Sequence, residues 1–219
     1  MQGWGRDRLR AGTQGRRREV AECFDVDYAL RASMSPVTET STVTVLFTDV
    51  VGSTGLRQHH GDKAGHAIMS AHEEIVRGQL EQHGGQEIKT IGDSFMIAFD
   101  SARKGVECAV AIQRALHANN HAHPGQPVKV RIGLHIGEAI RSNRDLLATN
   151  VDAAARIMAR AEGEQILISE VLKAVLGAAK DLSFKDHKRV RLKGLPERWR
   201  LWEVMWRSDA DAARTASTA

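Results

Sequence analysis

The chain has 219 residues, 42% of them hydrophobic and 26% charged, with a formal net charge of +4. That is enough for one domain of ordinary size with its own core. No apolar run approaches the roughly 18 residues needed to span a bilayer. The first 35 residues lack the apolar stretch of a secretory signal, so the reading is a cytoplasmic protein with no membrane partner.

Cys23 and Cys108 read as reduced thiols rather than a disulfide framework. Much of the positive excess comes from Arg6, Arg8, Arg10, Arg16, Arg17 and Arg18, while aromatic residues make up only 5%. A nucleic-acid partner would want a basic stripe interleaved with aromatics, and the composition argues against one.

In chain order, residues 1–40 carry little apolar periodicity and are expected to be poorly ordered, with a short helix over 19–32. The folded domain is expected over 41–207, followed by a polar tail over 208–219. Residues 43–50 are β-branched and apolar, and predict a buried strand. Gly52, Ser53 and Thr54 then mark a loop and helix start. Helical spacing covers 62–83 and ends at Gly84-Gly85. Two short strands, 87–91 and 95–99, flank a turn at Gly92-Asp93-Ser94. A helix over 102–118, a loop over 119–127 and a strand over 128–136 follow. Beyond them come a helix over 149–162, a strand over 165–168, a helix from Ser169 to about 176, and one or two strands within 182–204. The core order is strand, helix, strand, strand, helix, strand. This predicts an α+β, ferredoxin-like βαββαβ fold, an antiparallel sheet with helices on one face and extra C-terminal strands.

Four pieces can carry chemistry. In Phe47-Thr48-Asp49-Val50-Val51-Gly52-Ser53-Thr54 an acid ends a hydrophobic strand and a small-residue loop enters a helix. The carboxylate can hold a hard cation, and the loop amides can cradle phosphate oxygens. In Lys89-Thr90-Ile91-Gly92-Asp93-Ser94 an acid sits at a hairpin tip. The fold brings that tip beside the end of the first strand, where two carboxylates would repel unless cations lay between them. Asp152 and Arg156, preceded by Arg144-Asp145, lie four apart on one helix face. Lys193, in Arg191-Leu192-Lys193-Gly194-Leu195, sits in a basic turn that can meet phosphate. Each piece also has a plain structural explanation: a helix cap, a turn acid, a surface ion pair, a solvated lysine.

Taken together and in this order, these pieces and Arg131-Ile-Gly-Leu-His-Ile-Gly-Glu resemble the class III adenylate and guanylate cyclase catalytic domain, in its compact bacterial form, over roughly residues 42–206. The resemblance implies the cyclase and polymerase-palm type of ferredoxin-like fold, and a homodimer with composite sites. It implies two divalent cations, Mg2+ or Mn2+, held by Asp49, Asp93 and the Val50 carbonyl. Val51, Gly52, Ser53, Thr54 and Lys193 would bind phosphate, and Lys89 and Asp145 would read the purine of ATP. Arg156 and the residue four before it would stabilise the transition state. That residue is Asp152, where the family usually has Asn; an ionised Asp accepts hydrogen bonds but cannot donate one. The expected activity is therefore adenylate cyclase. The alternatives are a catalytically weak nucleotide-binding module, on account of Asp152, and a guanylate cyclase, which would want an acid at position 89.

Overall fold

A computed structural model of the protein describes residues 38–142, 145–147 and 149–207. The helix expected over 19–32 and the tail at 208–219 lie outside these residues. The elements run β1 (Thr38–Val50), α1 (Ser53–His83), β2 (Gln86–Ile91), β3 (Ser94–Phe99), α2 (Ala102–Ala122), β4 (Val130–Ser142), β5 (Asp145–Leu147), α3 (Thr149–Met158), β6 (Ile166–Ser169), α4 (Glu170–Leu176), β7 (Ser183–Arg191) and β8 (Arg198–Met205). They form one sheet in the order β2-β3-β1-β4-β6-β8-β7, with β5 paired to β4. The β4–β6 pair is parallel; the others are antiparallel. The α+β fold with a βαββαβ core and added C-terminal strands is therefore present.

Several elements run longer than expected. β1 starts at Thr38 rather than near 43, because β4 pairs with it along its whole length, from Thr38↔Ser142 to Val50↔Val130. Residues 38–40, expected to be poorly ordered, are part of that strand. α1 already begins at Ser53 and breaks at Gly61, whose backbone (φ 76°, ψ 164°) is not helical. Gly84 ends α1 in the left-handed region at φ 66°, which glycine adopts without steric cost. α2 runs on to Ala122, whereas α3 stops at Met158, short of the expected 162.

Strand alternation gives the sheet two buried faces. On one, Leu46, Phe95, Ile97, Phe99, Ile132 and Leu134 pack against Ile68, Val76 and Leu80 of α1 and Val106, Ile112 and Leu116 of α2. The two core helices thus share a face, as expected. On the other face, Val43, Val45, Met96, Ala98 and Ala139 pack against Ala154 of α3.

β4 admits α3 closely because two of its positions beneath the helix, Gly133 and Gly137, carry no side chain. A Cβ on Gly133 would lie 2.1 Å from the Met158 backbone nitrogen, and one on Gly137 would lie 2.4 Å from the Asn150 side chain. Asn150 can swing aside, but a backbone nitrogen cannot. Gly133→Ala is expected to lower stability by roughly 3 kcal/mol or more, read as a lower urea midpoint; an unchanged midpoint would show that α3 does not press on β4 there.

Candidate active site

Three strand ends meet at one corner. β1 finishes at Asp49-Val50, the β2–β3 hairpin turns at Gly92-Asp93, and β4 begins beside them with Arg131 directly opposite Asp49. Gly92 supplies the positive φ (64°) of that two-residue turn. Asp93 Oδ2 accepts the Val50 backbone N–H at 3.2 Å. Asp49 Oδ1 accepts the Ser94 hydroxyl at 2.5 Å. Asp49 Oδ2 accepts Arg131 Nε at 2.9 Å and Nη2 at 2.5 Å. The fold therefore brings Asp49, Val50 and Asp93 together as expected.

Asp49 is partly exposed, at 17% of its side-chain surface, so an incoming ion can reach it. Among the described residues no group of three or more His, Cys, Asp or Glu side chains could hold a metal. The corner supplies two carboxylates, beside backbone oxygen. This hard, anionic oxygen set suits Mg2+ or Mn2+ rather than a thiophilic ion, and the guanidinium on Asp49 already marks the spot as a cation position. Arg131 and Ser94 were not singled out by sequence reasoning. The available signal was an arginine at the start of the strand that follows the loop, at the level of the acid ending the first strand.

The loop after Val50 is only partly free for phosphate. The Val51 N–H donates to Lys129 O at 2.8 Å, which removes it from the donors expected there. Gly52, Ser53 and Thr54 remain as the start of α1, whose cap at Gly52 makes no side-chain hydrogen bond; the first-turn N–H groups of a helix have no intrahelical partners.

Lys89 is exposed on β2, just past a register shift between Glu87 and Lys89. Glu87 pins that irregularity: it accepts Thr90 Oγ1 at 2.7 Å and Arg77 Nε from α1 at 3.0 Å. The Asp145 backbone pairs with Ser142 at the start of β5; its side chain lies outside the described residues. Lys193 is exposed in the β7–β8 turn beside Gly194, at φ 83°. Arg160 holds that hairpin through the Arg191 carbonyl at 2.6 Å.

Asp152 and Arg156 are exposed on α3, on the outer side from the buried Ala153, Ala154 and Ile157. Among the described residues no ion pair joins them to each other, and none joins either to Asp49 or Asp93. Asn150 is held underneath: its Oδ1 meets His135 Nε2 at 3.2 Å and its Nδ2 donates to Glu138 O at 2.8 Å. His135 Nδ1 in turn meets Ser169 Oγ at 2.7 Å, and Ser169 Oγ also accepts the Leu172 N–H that caps α4. Burial holds the His135 imidazole below its ordinary pKa, so it is the neutral ring that links these groups. Asn150 therefore has a structural task and does not stand in for the usual Asn at 152.

The fold and this corner together define a nucleotide cyclase domain. The family model for the adenylate and guanylate cyclase catalytic domain matches residues 35–205, and the chain belongs to that family. A Rhizobium meliloti protein that carries an adenylate cyclase name is 30% identical over 172 residues, covering 78% of this chain. The chain spans only 29% of that relative's length. Among solved structures, the Pseudomonas aeruginosa adenylyl cyclase CyaB superimposes with a TM-score of 0.72 at 20% identity, over 80% of this chain and 98% of that one. The guanylyl cyclase Cya2 superimposes with a TM-score of 0.71 at 22% identity, over 78% of this chain and 95% of that one. At these identities the structures speak for the fold alone. No helix among the described residues is long and apolar enough to cross a membrane.

Behind the corner, His72 of α1 is 1% exposed, and neither ring nitrogen has a hydrogen-bond partner. Its ring meets Phe95 edge-on at 5.9 Å between centroids. Burial pushes its pKa down to about 4, against the opposing pull of Asp93 and Glu73. The native state thus holds His72 neutral, while the unfolded chain titrates near 6.5. Between those values the unfolded chain binds more protons. The stability from this group is full above pH ~6.5 and falls by about 3 kcal/mol as the pH drops towards 4. Urea midpoints across that range should show this loss, and His72→Leu should flatten the curve. An equally steep curve in the variant would place the acid sensitivity elsewhere.

Proposed function

We propose that the chain is an adenylate cyclase that converts ATP to 3′,5′-cyclic AMP and pyrophosphate, at composite sites between two copies of residues 41–207 acting in the cytoplasm. The observation that carries this reading is the meeting of Asp49 and Asp93 at the Val50 amide. Two divalent cations, Mg2+ or Mn2+, would be held there by both carboxylates and the Val50 carbonyl; when bound they supply activation of the ribose 3′-hydroxyl and neutralisation of the triphosphate.

The protein's own groups orient the rest. Arg131, which holds Asp49 Oδ2 in this structure, would be released to meet a phosphate oxygen if cations occupied the carboxylates. The first turn of α1 at Gly52, Ser53 and Thr54 offers N–H groups to the phosphates, and the exposed Lys193 adds a positive charge.

The second subunit supplies what the corner lacks. Lys89 donates to adenine N1 and Asp145 accepts from the exocyclic amine. Guanine presents the reverse pattern, a donor at N1 and a carbonyl at position 6, so this pair favours ATP. Arg156 offsets charge as it develops on the α-phosphoryl group. The exposed apolar side chains of Ile91 (68%) and Val51 (43%) beside the corner support this division of labour.

Purified protein incubated with ATP and Mn2+ is expected to form cyclic AMP, detected by chromatography, and Asp93→Ala is expected to keep its fold and lose at least nine-tenths of the rate. A folded Asp93→Ala variant with rates near the parent's would contradict the two-carboxylate site.

Asp152 limits the rate in this reading. It is exposed and makes no ion pair with Arg156 among the described residues, so nothing there assigns it to positioning that arginine. An Asn could donate to the ribose ring oxygen, and losing one oriented donor typically costs about a hundred- to a thousandfold in rate. Asp152→Asn should therefore raise kcat for ATP with less change in KM; a lower kcat would assign Asp152 a positioning role instead.

A further inference from the structure

Well away in sequence from the catalytic motifs, α2 carries two histidines one turn apart, His117 and His121. Their Nε2 atoms face each other at 3.0 Å, with the rings edge to face at 4.4 Å between centroids. His121 is exposed and His117 half-buried. The far side of His117 is fixed by Trp206, whose ring meets it edge-on at 5.5 Å. Trp206 is itself held by three contacts. Its Nε1 donates to Glu164 O at 2.7 Å, its carbonyl accepts Arg114 Nε at 2.9 Å, and Arg207 lies over its ring at 4.6 Å. Arg207 is neutralised by Glu164 at 3.0 Å.

We infer that His117 and His121 form a binding site for a borderline transition-metal ion such as Ni2+, Cu2+ or Zn2+, chemically distinct from the oxygen-lined corner. Imidazole nitrogen is the preferred ligand of these ions, whereas Mg2+ and Mn2+ favour oxygen. Neighbouring side chains on a helix lie three or four residues apart, so this spacing places both rings on one edge of α2. The separation also fits. Metal–nitrogen bonds of about 2.05 Å on two nitrogens 3.0 Å apart close an angle of about 94° at the ion. That is near the right angle of square-planar or octahedral coordination; the ion would replace the direct hydrogen bond between the two rings, each turning its Nε2 lone pair towards it. Water would complete the shell.

The site needs nothing from the catalytic reading, and the test avoids activity altogether. The full-length untagged chain is titrated with NiCl2 in excess Mg2+, which keeps the carboxylate corner filled. Heat and tryptophan fluorescence are followed, because Trp206 touches His117 and Ni2+ quenches nearby indoles. The parent should bind Ni2+ saturably with quenching. His121→Gln, an exposed and foldable change, should bind at least about tenfold more weakly, since losing even a supporting partner of a ligand typically costs 10- to 100-fold, and it should lose the quenching. His117→Gln should behave the same way. Either the absence of saturable binding in the parent, or parental affinity in His121→Gln, overturns the assignment.

Discussion

The carboxylate corner depends on the antiparallel pairing of β1 with β4. It runs without a break over 13 residues of β1 and sets Asp49 opposite Arg131. Side chains alternate along a strand, so a slip of one residue would send Asp49 to the opposite face of the sheet. The register is locked because Leu46 and Val50 must point to the face of α1 and α2, while Val43 and Val45 point to that of α3. Once it is locked, the carboxylate at the strand end faces the guanidinium across the ladder, and the β3 pairing delivers Asp93 to the Val50 amide. Core packing on both faces thus fixes the charge constellation at the edge.

The second dependence is the close approach of α3. Gly133 leaves room for its backbone, and the run from Leu172 through Ser169, His135 and Asn150 to Glu138 ties it to β4 and α4. These groups are satisfied inside the protein and hold the helix from beneath. Asp152 and Arg156 are left on its outer side, free of ion pairs to the corner among the described residues. The helix is thus held from beneath by buried partners, with Asp152 and Arg156 on the solvent side.

Much of this was legible in the sequence, for local reasons. The β-branched run at 43–50 and the Gly-Asp turn at 92–93 are period and turn signals, so both acids could be placed. The split βαββαβ order then put them side by side. What was missed arises from tertiary pairing. The early start of β1 at Thr38 and the short strand β5 exist because β4 offers partners, and a window of sequence does not contain the partner. The same holds for Arg131, which was one residue of a motif until the ladder placed it on Asp49. The Val51 amide was counted as a phosphate donor because a small-residue loop usually leaves its amides free, but here Lys129 takes it. The purine and phosphate assignments of Lys89, Asp145 and Lys193 still rest on family resemblance and the chemistry of the side chains.

The central claim is that one catalytic site is assembled from two copies of this chain. Its most direct test mixes folded Asp49→Ala protein, which retains Arg156, with folded Arg156→Ala protein, which retains Asp49. Each alone should be nearly inactive with ATP and Mn2+. Their mixed dimer should regain a substantial part of the cyclic AMP formation of the parent, because one of its two sites holds both groups. No recovery in a mixture shown by mass measurement to contain the mixed dimer would contradict the shared site.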